Sequence, residues 1–412
     1  MKLYKELVRN YGSPLYVYNL NKITTAHEML KNCLPENSKI FYSLKANPNP
    51  GVVHHIIKLG CYAEISSIRE LDIVLAAGLP VHKCLYTGPG KSDEEIKHAM
   101  EKGVSHFSVE SLDELGVISN LSLCKKSKVR ITLRINPSSQ SSNASINMTG
   151  IPSQFGFEED QLDSKELMKF KNNFIVIEGI HIYNGSNFDS SEKLFNNFKS
   201  AIHTIKRVSR RLEIDLKFID LGGGFSAPYG KNETLINYKD IKTSLQEIID
   251  NEFSNAIQIA FETGRYLTAT SGVIIGTVQS LKKSKERNFC IIDFGINNLG
   301  GMSGLRRLPS SNFNIIPIDK ANEEKIEASL VGPLCTPLDY IDKKAIIPRF
   351  SRGDNFFIPN VGAYGLTASL LGFLSRDFPK EIIIENNDVR QAFDYKLISL
   401  NNSKNYLATE LI

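Results

Sequence analysis

Lys45 closes the apolar run Ile40-Phe41-Tyr42-Ser43-Leu44 and precedes Ala46-Asn47-Pro48-Asn49-Pro50, whose prolines cannot continue a strand. At the mouth of a buried strand, desolvation can strip a lysine of its charge and leave an amine able to attack a carbonyl. A single lysine in such a place is ordinarily just solvated, so its companions decide the matter. Gly222-Gly223-Gly224 follows the strand-like Phe218-Ile219-Asp220-Leu221. Successive glycines let backbone N–H groups approach an anion such as phosphate, although in isolation they read as a tight turn. No Gly-x-Gly-x-x-Gly opens a helix here, so the dinucleotide pattern is absent. Glu262-Thr263-Gly264-Arg265 adds a cation for the same phosphate and a carboxylate beside it. Alone, Glu262 and Arg265 make a structural ion pair. Beside a phosphate, the carboxylate makes sense when it faces a cation such as a protonated ring nitrogen. Amine nucleophile, phosphate cradle and ring-nitrogen carboxylate together describe a site for pyridoxal 5'-phosphate.

The elements that must position these residues alternate over the first 260 residues. Strand-like runs at 40–45, 61–65, 83–86, 106–109, 129–135, 175–182, 216–220 and 257–262 are separated by helix-like segments, among them 67–77 (with Ser67 as N-cap), 91–102, 111–122 and 233–252. Strand–helix alternation implies parallel pairing, and eight such strands close a (β/α)8 TIM barrel. An open doubly wound sheet is the competing architecture. In a barrel the strand ends converge Lys45, Glu64, Gly88-Pro89-Gly90, Glu110, Arg134, His181, Tyr183, Gly222–Gly224 and Glu262–Arg265. Beyond about residue 265 the texture becomes β-rich, with runs at 272–280, 287–294, 327–331, 355–359 and 381–385. The early run Pro14-Leu15-Tyr16-Val17-Tyr18 fits that second unit. The expected division is therefore a barrel over 24–265 and a β-domain from 1–23 plus 266–412. Two irregular stretches, 136–157 and 295–325, are long enough to be functional loops.

With 412 residues, 42% of them hydrophobic and 23% charged, the chain has room for about two ordinary globular domains. The net charge of +4 comes from scattered basic residues, and the densest tract, Lys282 to Arg287, reads as a solvated turn. Nothing asks for nucleic acid, and no run approaches the roughly 20 apolar residues of a membrane span. The first residues show no secretion-signal pattern. The six cysteines form no Cys-x-x-Cys, so no zinc site or disulfide framework is expected, and a reducing cytoplasm fits best.

With these motifs in view, the chain resembles the fold-III pyridoxal-phosphate decarboxylases of the diaminopimelate, ornithine and arginine type, which have an alanine-racemase-like barrel. Phe41-Tyr42-Ser43-Leu44-Lys45-Ala46-Asn47 resembles their Schiff-base segment, Leu221-Gly222-Gly223-Gly224-Phe225 and Glu262-Thr263-Gly264-Arg265 their phosphate and ring-nitrogen motifs. Gly332-Pro333-Leu334-Cys335 is similar to the catalytic-cysteine motif, and Gly362-Ala363-Tyr364-Gly365 to the segment whose tyrosine reaches the phosphate. The resemblance implies a homodimer with shared active sites. Cys335 of one subunit would enter its neighbour's site and protonate the carbanion left by CO2. Without the resemblance, Cys335 would be a buried structural cysteine.

Departures from the family pattern bear on substrate. Aligned on Gly185-Ser186, which helps hold the phosphate, the position that stacks on the cofactor ring is Tyr183 rather than a histidine. Tyrosine can cover a ring face, which leaves His181 without an assigned role. Diaminopimelate and ornithine enzymes place an acid directly after the cysteine to hold a distal ammonium, where this chain has Thr336. Asp339 matches a later acidic position and would compensate in part. The segment Asn297 to Arg307 resembles the branch that decarboxylates carrier-protein-bound glutamate or citryl-amine siderophore precursors. Arg306 or Arg307 would bind a carboxylate or a carrier's phosphate there, or else lie on the surface. The expectation is α-decarboxylation of an amino acid or a carrier-bound aminoacyl conjugate. Its rivals are diaminopimelate decarboxylase itself and a catalytically silent regulatory homologue, which would be expected to have lost Lys45 or Cys335. A racemase is disfavoured, because that branch has a tyrosine base where Cys335 stands.

Overall fold

The computed structural model describes residues 1–138, the backbone of 146–147, and residues 152–254, 256–300, 312–318 and 324–398. Arg306 and Arg307, and most of the polar run 138–142, lie outside the described residues. Eight parallel strands close a ring in the order His106–Val109, Cys84–Tyr86, Tyr62–Ile65, Lys39–Ser43, Gln258–Thr263, Phe218–Asp220, Ile175–His181 and Val129–Asn136, the last pairing back to the first. This is the expected (β/α)8 barrel rather than an open sheet. Helices on its outside include Pro50–Lys58, Ile68–Ala76, Asp93–Glu101, Leu112–Lys125 and Ser191–Arg211. Their starts follow from capping serines. Ser67 accepts the N–H of Glu70, Ser111 that of Glu114, and Ser92 forms a reciprocal capping box with Glu95.

Strand alternation sorts the side chains into two populations. Ile40, Tyr42, Ala63, Ile65, Cys84, Tyr86, Phe107, Val109, Ile219 and Phe261 belong to the large core beneath the helices. The residues between them point the other way, into the ring. There Phe41, Leu85, Phe218 and Ala260 form a separate apolar cluster, with His106 edge-on to Phe218 at 4.7 Å. One inward step further along each strand the residues turn polar, at Ser43, Glu64, Thr87, Ser108, Asp220 and Glu262. The barrel is thus plugged with apolar side chains below and charged at its C-terminal rim.

The second sheet runs Tyr340–Pro348, Lys325–Val331, Arg287–Ile292, Gly272–Ser284, Leu15–Asn19, Lys380–Glu385 and Asp388–Phe393. Leu15–Asn19 lies antiparallel to Gly272–Ser284 and parallel to Lys380–Glu385, which places the early apolar run in this sheet. Tyr340–Pro348 and Asp388–Phe393 are not signalled by apolar runs. Lys343 and Lys344 interrupt the first, and the second is an exposed edge strand. The expected helix over 233–252 is shorter. The chain holds an Asx turn, with Asn237 accepting the N–H of Lys239, and regular helix starts only at Lys242. His203, Lys206, Arg207, Arg210 and Arg211 lie together at one end of a single helix, around Glu252. Among the described residues no helix is long and apolar enough to cross a membrane.

The two units are tied by a buried carboxylate. Glu381, in the second sheet, accepts Tyr18 Oη–H at 2.7 Å, Asn49 Nδ2–H at 2.6 Å and Tyr395 Oη–H at 2.8 Å. Asn49 lies in the loop that leaves Lys45, so this network steadies the Lys45 turn from behind. Glu381→Ala is expected to cost about 2–4 kcal/mol by stranding buried donors. A shift in the thermal unfolding midpoint measures it, and an unchanged midpoint contradicts it.

Candidate active site

Lys45 sits just past the end of its strand, in the short turn Leu44–Ala46. Its Nζ donates to Glu64 Oε1 at 2.9 Å, and the same oxygen accepts Thr87 Oγ1–H at 2.8 Å. Half of the lysine side chain is accessible while Glu64 is buried. Crowding by protein would lower the proton affinity of Lys45. The Glu64 and Glu262 carboxylates outweigh it and hold the ammonium well above its ordinary value. The expectation of a lysine neutralised by desolvation is therefore corrected. Without a carbonyl partner, Lys45 is charged and ion-paired. Glu64 in turn is held down, burial being overcome by Lys45 and by donors from Ser43 and Thr87.

The neighbouring strand ends complete the rim. Arg134 Nη1 donates to Glu110 Oε1 at 2.9 Å, and Glu110 also accepts the N–H of Gly156. His181 Nδ1 meets Ser108 Oγ at 3.0 Å, while its Nε2 lies 3.6 Å from Glu262 Oε1. Burial pushes His181 well down and Glu262 well up from their ordinary values, the latter aided by Glu64 and Asp220. Asp220 Oδ1 accepts the N–H of Gly222 at 2.8 Å, and burial pushes its carboxyl up to about 7.

Backbone, rather than side chains, forms the floor beside these groups. A Cβ on Gly223 would lie 2.4 Å from the Glu262 carbonyl oxygen, so only glycine lets the two strand ends close. Gly222 and Gly224 take positive φ, and Tyr183 packs its ring against Gly222 and Gly223. The Tyr183 hydroxyl lies 3.5 Å from Ser186 Oγ. Gly264 is pressed against Ala46, where a Cβ would come within 2.6 Å. Arg265 lies over the Tyr364 ring at 4.6 Å, and Tyr364 N–H donates to the Ala46 carbonyl at 2.7 Å. The Gly362–Gly365 segment of the second unit is thereby docked on the lysine turn, helped by Asn47 Nδ2–H to the Gly362 carbonyl.

One structure thus gathers Lys45, Tyr183, Ser186, Gly222–Gly224, Glu262, Gly264, Arg265 and Tyr364. Glu262 Oε1, Glu64 Oε2, Asp220 Oδ2 and His181 Nε2 are buried without a hydrogen-bond partner. A protonated ring nitrogen is the kind of donor such acceptor oxygens await, and the backbone N–H groups of successive glycines suit a phosphate. The residues fit pyridoxal 5'-phosphate.

Cys335 and Thr336 are elsewhere, in the loop joining Lys325–Val331 to Tyr340–Pro348. Cys335 is exposed rather than buried, and the hydrogen bonds and ion pairs of the Lys45 cluster among the described residues do not reach it. Thr336 Oγ1 accepts the N–H of Leu338. Asp339 departs from the expected substrate contact. It is buried, with Oδ1 accepting the N–H of Ile296 at 2.9 Å and Oδ2 that of Leu334 at 2.8 Å, packed on Gly295 and Gly332. It braces the cysteine loop. Sequence reasoning passed over Asp220, Ser108 and Thr87 as functional positions. Inward alternation with Phe218, His106 and Leu85 is the signal that identifies them.

Residues 20–269 match the family profile for the pyridoxal-dependent decarboxylase pyridoxal binding domain. The chain is 30% identical over 388 residues to L-glutamyl-[BtrI acyl-carrier protein] decarboxylase of Niallia circulans, covering 92% of this chain and 90% of that one. It is also 30% identical over 403 residues to diaminopimelate decarboxylase of Aquifex aeolicus, covering 95% and 92%. The structure of diaminopimelate decarboxylase from Helicobacter pylori complexed with L-lysine superposes with a TM-score of 0.82 at 29% identity, covering 94% and 95%.

Glu64→Gln should remove the charge that holds the Lys45 proton. In the cofactor-free protein, amine-directed labelling of Lys45 at about pH 8, read by peptide mass spectrometry, is expected to rise about tenfold for each unit of lowered pKa. Unchanged labelling would show that Glu64 does not control this lysine.

Proposed function

Because this chain belongs to the pyridoxal-dependent decarboxylases, we propose that it removes the α-carboxyl group of an amino acid or amino-acid conjugate lacking a free distal ammonium, such as an aminoacyl group on a carrier protein. It is a carboxy-lyase that uses pyridoxal 5'-phosphate. The observation that carries the catalytic reading is Lys45 bonded to the buried Glu64 at the strand ends, beside a glycine floor.

Bound cofactor supplies an electron sink for the pair of electrons released when the α-carbon loses CO2. Everything else falls to the protein. Lys45 would be the amine that holds the cofactor, and Glu64 keeps its proton at hand. Glu262 would hold the ring nitrogen and keep a proton there. Gly222–Gly224, Ser186, Arg265 and Tyr364 would receive the phosphate, and Tyr183 would cover a ring face. After the carboxyl carbon leaves as CO2, the Cys335 thiol gives its proton to the α-carbon and regains one from solvent. An exposed cysteine on a braced loop, outside its own chain's lysine cluster, supports action in a neighbouring subunit of a homodimer.

The substrate reading rests on the cysteine loop. In the segment from Gly332 to Asp339 the single acid is Asp339, and its two oxygens are engaged by backbone N–H groups. Thr336 brings no charge. A substrate with a bare distal ammonium would be desolvated there without a counter-charge, which costs affinity. The relative acting on a carrier-bound glutamyl group supports this reading. Equal identity to a diaminopimelate decarboxylase favours a second one, with a free diamino acid as substrate.

Purified protein plus pyridoxal phosphate is expected to gain an absorbance band that Lys45→Ala lacks. Failure of the wild type to gain it would end the enzyme reading. CO2 release should be faster from carrier-borne glutamyl and citryl conjugates than from diaminopimelate, ornithine or lysine. The reverse order would favour the diaminopimelate reading. Thr336→Glu is expected to raise kcat/KM for substrates with a distal ammonium about tenfold, equal to about 1.4 kcal/mol, relative to those without. An unchanged ratio would remove Thr336 from specificity.

A further inference from the structure

Three side chains at the bottom of the site face one another without a visible donor. His181, Asp220 and Glu262 are buried, and one ligand atom of each lies within 4.8 Å of the others. The facing atoms, His181 Nε2, Asp220 Oδ2 and Glu262 Oε1, are the ones left without hydrogen-bond partners. Two carboxylates and an imidazole cannot be packed this way fully deprotonated, because lone pairs would face lone pairs in a dry interior.

The two basic side chains that face them are already paired. Lys45 is bonded to Glu64, and Arg134 to Glu110. Among the described residues, the one ion-pair contact within 4 Å of either Asp220 or Glu262 is His181 itself. Protons must therefore supply the missing donors. The Ser108 hydroxyl can donate to His181 Nδ1, and in that tautomer the neutral imidazole carries its hydrogen on Nε2, facing the carboxylates. The second donor is a proton shared between Asp220 and Glu262.

We infer that His181 and Asp220 are positioning residues that keep a proton stored on the Asp220–Glu262 pair of the cofactor-free protein, ready for the ring nitrogen when the cofactor docks. The inference rests on the cofactor reading above for what receives the proton, but not for the proton itself. The groups that face the pair from the surrounding strand ends are Lys45, Glu64, Ser108, Arg134 and the Gly222 N–H. Burial raises both carboxyls, in agreement with the packing. Asp220 has a second duty through its other oxygen, which holds the Gly222 N–H and so links the ring-nitrogen end of the site to the phosphate floor.

Asp220→Asn preserves the acceptor for Gly222 and places an amide donor against Glu262, so the stored proton is no longer needed. Asp220→Ala removes both. Infrared difference spectra of cofactor-free protein at about pH 6, above the ordinary carboxylate range, read the proton directly. The wild type is expected to show a protonated-carboxyl stretch that is lost in Asp220→Asn and that disappears from the wild type on adding pyridoxal phosphate. Proton uptake on cofactor binding, measured in buffers of different ionisation enthalpy, should be greater by about one proton in Asp220→Asn than in wild type. A wild type without the stretch, or equal uptake by both proteins, overturns the inference. So does a stoichiometric metal ion found in the cofactor-free protein and lost in Asp220→Asn. If wild type and Lys45→Ala alike gain no absorbance band, the cofactor reading fails while the stretch still tests the stored proton.

Discussion

Three carboxylates meet one lysine at the rim of a closed barrel, and most of the site follows from how that imbalance is managed. Glu64 takes the lysine, at 2.9 Å. Asp220 and Glu262 are left to share what the interior offers, and burial favours their protonated forms. Such a cluster is unstable in an open cleft, where water would separate the charges. It persists here because inward side chains on eight strands converge above an apolar plug of Phe41, Leu85, Phe218 and Ala260.

The backbone is arranged around the same point. Gly223 against the Glu262 carbonyl and Gly264 against Ala46 bring three strand ends closer than any side chain would allow. From the other unit, Tyr364 bonds Ala46 and Arg265 covers its ring. Glu381 then fixes Asn49, on the far side of the lysine turn, to the second sheet. The lysine turn is thus clamped from both sides, and the second sheet serves the site of its own barrel as well as carrying the cysteine loop.

The barrel was legible because eight short apolar runs alternate with helical patterns, and each inward strand end carries a polar residue. Lys45, the glycine triplet, Glu262 and Arg265 stood out because their types have few uses in common besides a phosphate-bearing cofactor. Asp220 did not, since a single aspartate inside an apolar run looks like a strand residue until its inward face is known. The charge of Lys45 is not legible in the sequence for a similar reason. Glu64 is 19 residues away in sequence and adjacent only across a strand pair. Asp339 looked like a substrate contact by position, whereas its oxygens are engaged by Ile296 and Leu334. Loop geometry of that kind has no periodic signature.

The central claim is that Lys45 anchors the cofactor in the cluster of Glu64 and Glu262. Borohydride reduction of the protein incubated with pyridoxal phosphate, followed by peptide mass spectrometry, locates the attachment. The account predicts a reduced pyridoxyl group on the peptide carrying Lys45 and none there in Lys45→Ala. Stoichiometric attachment at a different lysine, with Lys45 unmodified, would contradict it.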